Sequence, residues 1–222
     1  MTTMFESLEL GIGLTIVQWF QGGGPGVVWY LLLPFHYIGE EIGVMVVLAA
    51  IYWSVSKRQG IRLMILVLGA QVFSTFFKVW WGRPRPYHMA PERITPVSET
   101  WQPGLPSGHT IFGTTFGLWL GQNWRTWIGY TVVGLFVVLM GLSRMVHGVH
   151  YPQDVVAGWI LGAVLFAVFV WIESRTLSWF ESSGIAEMVV LLVVISIVAL
   201  LAALFISTEF EARKSILAPA GA

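Results

Sequence analysis

The sequence predicts an all-α integral membrane protein, a helical bundle of about six transmembrane helices preceded by N-terminal interfacial helices. Three observations carry this reading. Of 222 residues, 56% are hydrophobic and only 11% are charged, less than half of the roughly 25% found in soluble domains. Mean hydropathy is +0.74, which leaves too little polar surface to cover a water-soluble globule. Apolar runs near the roughly 20 residues needed to cross a bilayer also recur along the chain.

The elements follow in order. Residues 8–20 are apolar but short, and Gly22-Gly23-Gly24-Pro25-Gly26 interrupts the chain after them. The segment 8–36 therefore reads as one or two interfacial or re-entrant helices. Spans are expected near 39–56, 61–81, 107–124, 127–145, 152–172 and 186–206. Most connections are short, but 82–106 holds five prolines between Pro84 and Pro103 and cannot be membrane helix. Gly113, Gly117 and Gly121 recur at four-residue spacing, as do Gly158 and Gly162, and such stripes let helices approach closely in lipid. The whole chain, 1–222, reads as one membrane domain: an N-terminal interfacial segment 1–36, a core 37–175, and an extra helix and tail 176–222.

Composition removes several function classes. Twelve Lys plus Arg balance twelve Asp plus Glu, so no nucleic-acid partner is implied. The absence of Cys rules out disulfides, thiolate metal sites and a Cys nucleophile. Glu6 and Glu9 stand where a secretory signal would carry basic residues, so no cleavable signal is expected.

The scarce polar groups collect between positions 78 and 154: Lys78, Arg83, Arg85, His88, Arg93, His109, Arg144, His147, His150 and Asp154. Counting crossings brings Lys78, the Ser107–His109 turn and the Arg144–Asp154 stretch out on one membrane face. Lys78, Arg85 and Arg144 on separate segments form an anion clamp, Arg matching phosphate oxygens bidentately. Pro106-Ser107-Gly108-His109 reads as a turn into a helix N-terminus, where Ser107 caps and the free N–H groups favour an anion. Gly108 lets the backbone come close to a ligand. His150 and Asp154 lie four apart around a helix start, so the carboxylate can fix the imidazole tautomer and stabilise the cation formed when the other nitrogen attacks. His109 can supply and remove protons near neutral pH. Together these suggest a phosphate-sized anion held between two imidazoles.

Lys78-Val-Trp-Trp-Gly-Arg-Pro-Arg85-Pro86, Pro106-Ser107-Gly108-His109 and Ser143-Arg144-Met-Val-His-Gly-Val-His150-Tyr-Pro-Gln-Asp154 resemble, in order, the K-x6-R-P, P-S-G-H and S-R-x5-H-x3-D signatures of the type 2 phosphatidic acid phosphatase (lipid phosphate phosphatase) superfamily. The resemblance covers about 40–172. It implies a hydrolase that needs no metal or other cofactor and works through a phosphohistidine intermediate. His150 would be the nucleophile, Asp154 its orienting partner, and His109 the acid for the leaving oxygen and then the base for water. Lys78, Arg85, Ser107, Gly108 and Arg144 would hold the phosphoryl oxygens. The implied substrates are lipid phosphates: phosphatidic acid, phosphatidylglycerol phosphate, undecaprenyl diphosphate or sphingoid phosphates.

Three alternatives stand beside this reading. They are a phosphatase of a water-soluble phosphomonoester, as in the glucose-6-phosphatase branch; a metal-dependent membrane hydrolase with His109, His147, His150 and Asp154 as ligands; and an anion carrier. Arg144 with Asp154 could also be a structural ion pair. His36 and His88 read as interfacial, His147 as lining a turn, and Glu40 and Glu41 as headgroup-level residues, one of which could instead pair with Arg83 or Arg85. Loop charges do not set the orientation; the family resemblance implies a site facing the periplasm, exterior or lumen of a cell membrane. The sequence leaves the oligomeric state open.

Overall fold

The computed structural model of the chain describes residues 9–22, 25–100 and 102–182; the expected span at 186–206 lies outside them. Every regular element among the described residues is helical. A single π turn, Glu9–Gly13, leads into α1 (Leu14–Gln21), followed by α2 (Val27–Gly39), α3 (Glu41–Ser54), α4 (Lys57–Trp81), α5 (Pro86–Met89), α6 (Gly108–Trp124), α7 (Trp127–Val146) and α8 (Pro152–Ser182). Three stretches, Lys57–Met89, Trp127–Val146 and Pro152–Arg175, are long and apolar enough to cross a membrane. The α2–α3 pair, bent by 67°, makes a fourth if taken as one span.

The distribution of polarity inverts that of a soluble protein. Leu68, Leu135 and Ile160 are exposed, whereas Lys78, Arg85, Arg144 and Asp154 are buried. Lipid is the solvent that makes such an exterior stable, and ionisable groups inside it belong to a working interior. Trp53, Trp124 and Trp127 are exposed at one set of helix ends, and Trp80 and Trp81 at the other, as an aromatic belt requires at each membrane–water boundary.

The chain divides into two compact units, 1–166 and 167–222. In the first, α7 packs against α1, α2 and α6, while α4 packs against α3 and α6. The glycine stripes permit the closest approaches. A Cβ on Gly158 would lie 2.8 Å from Thr110 Cβ and 3.0 Å from the Ser107 carbonyl, and one on Gly162 would meet Thr114 Cβ at 2.8 Å. The early part of α8 thus lies backbone-to-backbone on α6, as the small-residue spacing predicts. In the second unit, residues 167–182 are helical, with the Arg175 guanidinium 4.2 Å over the Trp171 ring.

Helix ends deliver the polar residues. α4 stops at Gly82, whose positive φ of 58° lets its N–H return to the Lys78 carbonyl and turns the chain into Arg83-Pro84-Arg85. Ser107 caps α6 and accepts from the Thr110 N–H. After α7, Gly148 at φ 68° makes the turn that carries His150 back beneath α6. The N-terminal segment braces this end: Leu14 and Val17 of α1 share a core with Tyr87, Ile94, Val149 and Tyr151. Gln21 holds both the N–H and the carbonyl of Thr95 at 3.1 and 2.6 Å.

Candidate active site

A cavity of about 480 Å³ opens between α3, α4 and α6. Lys78, Arg85, Gly108, His109, Arg144 and His150 line its inner end, so the three motif segments do meet on one side of the bundle. Val44, Met45 and Leu48 of α3, Leu68 of α4 and Phe112 of α6 add an apolar stretch, and Glu40, Glu41, Gln71, Glu99 and Gln102 add polar wall. A phosphate fills only part of such a volume, and the apolar stretch leaves room for more of a substrate.

His150 is held from both sides. Its Nδ1 lies 3.4 Å from Asp154 Oδ2, and its Nε2 lies 3.5 Å from an Arg85 guanidinium nitrogen. A guanidinium only donates, so Nε2 presents its lone pair and Nδ1 carries the hydrogen toward the carboxylate. Burial, reinforced by the Arg85, Arg144 and Lys78 cations, holds the His150 imidazole well below the ordinary histidine value of 6.5, which keeps it neutral at pH 7. Asp154 is fully buried and also accepts from the Tyr151 N–H at 2.9 Å.

Asp154 takes its cationic partner from Arg83, at 2.9 Å, rather than from Arg144. The structural Arg144–Asp154 pair considered from the sequence therefore does not form. The Arg83 guanidinium also lies 4.7 Å above the Tyr151 ring, so one arginine braces both the carboxylate and the turn after His150.

The other cations converge on the cavity. Arg85 donates to the Gln102 carbonyl at 2.9 Å and the Val149 carbonyl at 3.3 Å, while Lys78 Nζ lies 3.4 Å from Gln102 Oε1. Arg144 places one nitrogen 2.8 Å from His36 Nδ1, and its buried Nε has no hydrogen-bond partner among the described residues. A buried guanidinium N–H left over beside a cavity suits an incoming oxyanion. Gly108 lies on the cavity wall, where a Cβ would stand in ordinary contact, 3.7 Å from Lys78 Nζ. Ser107 is fully buried and its hydroxyl accepts from Thr110 Oγ1 at 2.9 Å; the structure places it at the helix cap and off the cavity wall.

His109 sits with its ring parallel to that of His36, centroids 5.7 Å apart. Its Nε2 lies 3.0 Å from the His36 carbonyl, which can only accept, so Nε2 carries a hydrogen and Nδ1 is the nitrogen left for chemistry. His36, read as interfacial, is in fact buried: Pro34 within α2 and the bend after Gly39 turn it inward. Glu40 lies on the cavity wall 3.5 Å from both His36 Nδ1 and His109 Nε2. Among its described ion pairs it meets these imidazoles, and Arg83 pairs with Asp154 instead.

His147 is fully buried with Nε2 3.2 Å from the Trp29 carbonyl. Burial, aided by Arg144, pushes it down to about 4. The metal set considered from the sequence does not assemble around it. A different trio, His36, Glu40 and His109, brings three ligand atoms within 4.8 Å of one another. Two of those atoms are already engaged, His36 Nδ1 by Arg144 and His109 Nε2 by the His36 carbonyl, so the donor set fits a proton network better than a dication.

Residues the motifs did not mark are His36, Glu40, Arg83 and Gln102. Glu40 carried one sequence signal: two carboxylates opening an apolar run are expensive in a membrane and call for a reason.

Comparison with known proteins agrees with this geometry. The model of the PAP2 superfamily matches residues 59–178. An undecaprenyl-diphosphatase of Sulfolobus acidocaldarius is 26% identical over 75% of this chain and 87% of its own length. A glucose-6-phosphatase 3 of Bos taurus is 27% identical over 70% of this chain, which spans 51% of that protein. The crystal structure of a transmembrane PAP2-type phosphatidylglycerolphosphate phosphatase from Bacillus subtilis shares the fold, with a TM-score of 0.63 at 18% identity, covering 78% of this chain and 88% of that one. A family match over more than half the sequence, on a bundle whose exterior is apolar, makes this chain an integral membrane phosphatase of the PAP2 superfamily.

Proposed function

We propose that the protein hydrolyses lipid phosphate monoesters or diphosphates through a phosphohistidine on His150. The observation that carries this is one cavity that joins a cationic, imidazole-lined end to an apolar stretch along α3, Val44, Met45 and Leu48. A lipid can leave its tail among Val44, Met45 and Leu48 while its phosphate reaches Lys78, Arg85 and Arg144. A water-soluble ester, the substrate type suggested by the glucose-6-phosphatase relative, would leave that wall unused.

The chemistry divides into two displacements. His150 Nε2 attacks phosphorus, forming the P–N bond as the ester P–O bond breaks, and His109 Nδ1 gives its proton to the departing oxygen. Asp154 stabilises the charge that appears on His150, while Lys78, Arg85, Arg144 and the backbone at Gly108 offset the charge on the equatorial oxygens. Water then loses a proton to His109 and attacks phosphorus, the P–N bond breaks, and inorganic phosphate leaves with His150 restored. Ser107 contributes by fixing the α6 N-terminus. The site is proposed to face the periplasm, exterior or lumen; a cysteine placed at Gln59 would then resist an impermeant thiol reagent in intact cells, and ready labelling would reverse the orientation.

The test is rapid-quench trapping with labelled lipid phosphates and glucose 6-phosphate. His150→Ala should lose both turnover and acid-labile phosphoenzyme. His109→Ala should lose lipid turnover but accumulate phosphoenzyme from a nitrophenyl phosphate, whose leaving group needs little protonation. A label kept in His150→Ala and lost in His109→Ala would exchange the two roles. Faster turnover of glucose 6-phosphate than of every lipid would overturn the substrate class.

A further inference from the structure

Each site imidazole has a carboxylate close to one ring nitrogen. His150 Nδ1 has a carboxylate oxygen at 3.4 Å, from Asp154. His109 Nε2 has one at 3.5 Å, from Glu40. Asp154 belongs to the recognised motif, whereas Glu40 lies upstream of all three motif segments. We propose that Glu40 is the positioning carboxylate of His109, supporting the charged form of the proton-transferring imidazole while the His36 carbonyl fixes its orientation. The inference rests on the reading of His109 as the acid and base.

The backbone is arranged for it. α2 ends and α3 begins at the same residue, Glu40, in an extended conformation with φ −73° and ψ 159°. That break directs the carboxylate back toward α6. The preceding residue must be Gly: a Cβ on Gly39 would collide with the His109 ring. The His36 carbonyl, one turn earlier, takes the Nε2 hydrogen at 3.0 Å. One short stretch, His36 to Glu40, therefore supplies an acceptor, a flat contact surface and a negative charge to one imidazole.

The charge has a specific use. Lys78 and Arg144 line the same cavity as His109, and the His36 ring lies parallel to it at 5.7 Å, yet the acid step requires the imidazolium. Glu40 is the carboxylate that meets His109 among the described ion pairs, and its charge is opposite to that of Lys78 and Arg144. Its value should therefore show when the leaving group needs a proton, and little when it does not. Glu40 acts through His109, so it is a positioning residue and not a phosphoryl ligand; like charge would keep it from the phosphate itself.

The experiment compares purified parent, Glu40→Gln, Glu40→Asp, His109→Ala and the Glu40→Gln/His109→Ala double variant on a dialkyl lipid phosphate and on a nitrophenyl phosphate, each checked for folding by thermal unfolding. Glu40→Gln should lower kcat on the lipid by about ten- to hundredfold, a part of the roughly 10²–10⁴ a positioned acid supplies. Phosphoenzyme formation from nitrophenyl phosphate should fall far less, KM should not rise, and Glu40→Asp should recover part of the lipid rate. In the His109→Ala background the Glu40 change should add nothing. An equal loss on both substrates, or none on either, overturns the assignment. Full lipid turnover by His109→Ala would instead refute the acid–base reading of His109, a result distinct from failure at Glu40.

Discussion

The Arg83–Asp154 pair gives the sharpest energetic prediction. Arg83 NH1 and Asp154 Oδ1 lie 2.9 Å apart, with side chains 9% and 0% exposed. At that depth solvent screens little, and removing one partner of a buried pair costs about 3–5 kcal/mol because the other charge is left in a poor solvent. Arg83→Met keeps bulk above Tyr151 while deleting the cation. At roughly 2–4 °C per kcal/mol for a chain of this size, its Tm in detergent should fall by about 6–20 °C. Asp154→Asn alone should also destabilise, since it leaves Arg83 in the same position. The double variant should recover much of the loss, because a neutral pair has no buried charge to desolvate. Activity should behave differently: the double variant regains stability without turnover, having lost the carboxylate that balances the His150 imidazolium. Tryptophan fluorescence would follow unfolding, and phosphate release the activity. A double variant no more stable than the worse single one would show that the two side chains are not energetically coupled.

Two further outcomes follow from packing and burial. Gly158→Ala should destabilise by about 1–3 kcal/mol through overpacking and depress activity, since the new Cβ meets Thr110 and the Ser107 carbonyl at 2.8 and 3.0 Å; Gly134→Ala, with nothing within 4 Å, should be neutral or stabilising in the same melting assay. His147 is pushed down to about 4 from 6.5, so between those values the unfolded chain takes a proton that the folded one refuses. Stability therefore rises with pH across that window, with a slope from this group of at most about 1.4 kcal/mol per pH unit. His147→Gln should flatten the Tm–pH curve between pH 4 and 6.5, and an unchanged slope would refute the assignment.

What the sequence makes legible is what short-range rules encode. The Ser107 cap, the glycine stripe on α8 and the facing of His150 by Asp154 each depend on residues a few positions apart, and each is found; of the six expected spans, three stretches and the bent α2–α3 pair are found among the described residues. The partners that escape are those chosen by tertiary approach. Arg83 and Arg85 are separated by one proline, and nothing local says that the first takes Asp154 while the second takes the Gln102 carbonyl. Those choices depend on where Gly82 and Gly148 send their loops. His36 escapes for the same reason: its inward placement depends on Pro34, on the bend after Gly39 and on Arg144 more than a hundred residues later. Motif spacing marks groups that share one loop or one helix end, so it identifies one wall of the site well. The opposite wall comes from α2 and α3, where a histidine and a glutamate sit in an apolar stretch without any signature. In a bilayer that placement is itself informative: a chain with so few charges keeps Glu40, half-exposed on the cavity wall, 3.5 Å from two imidazoles.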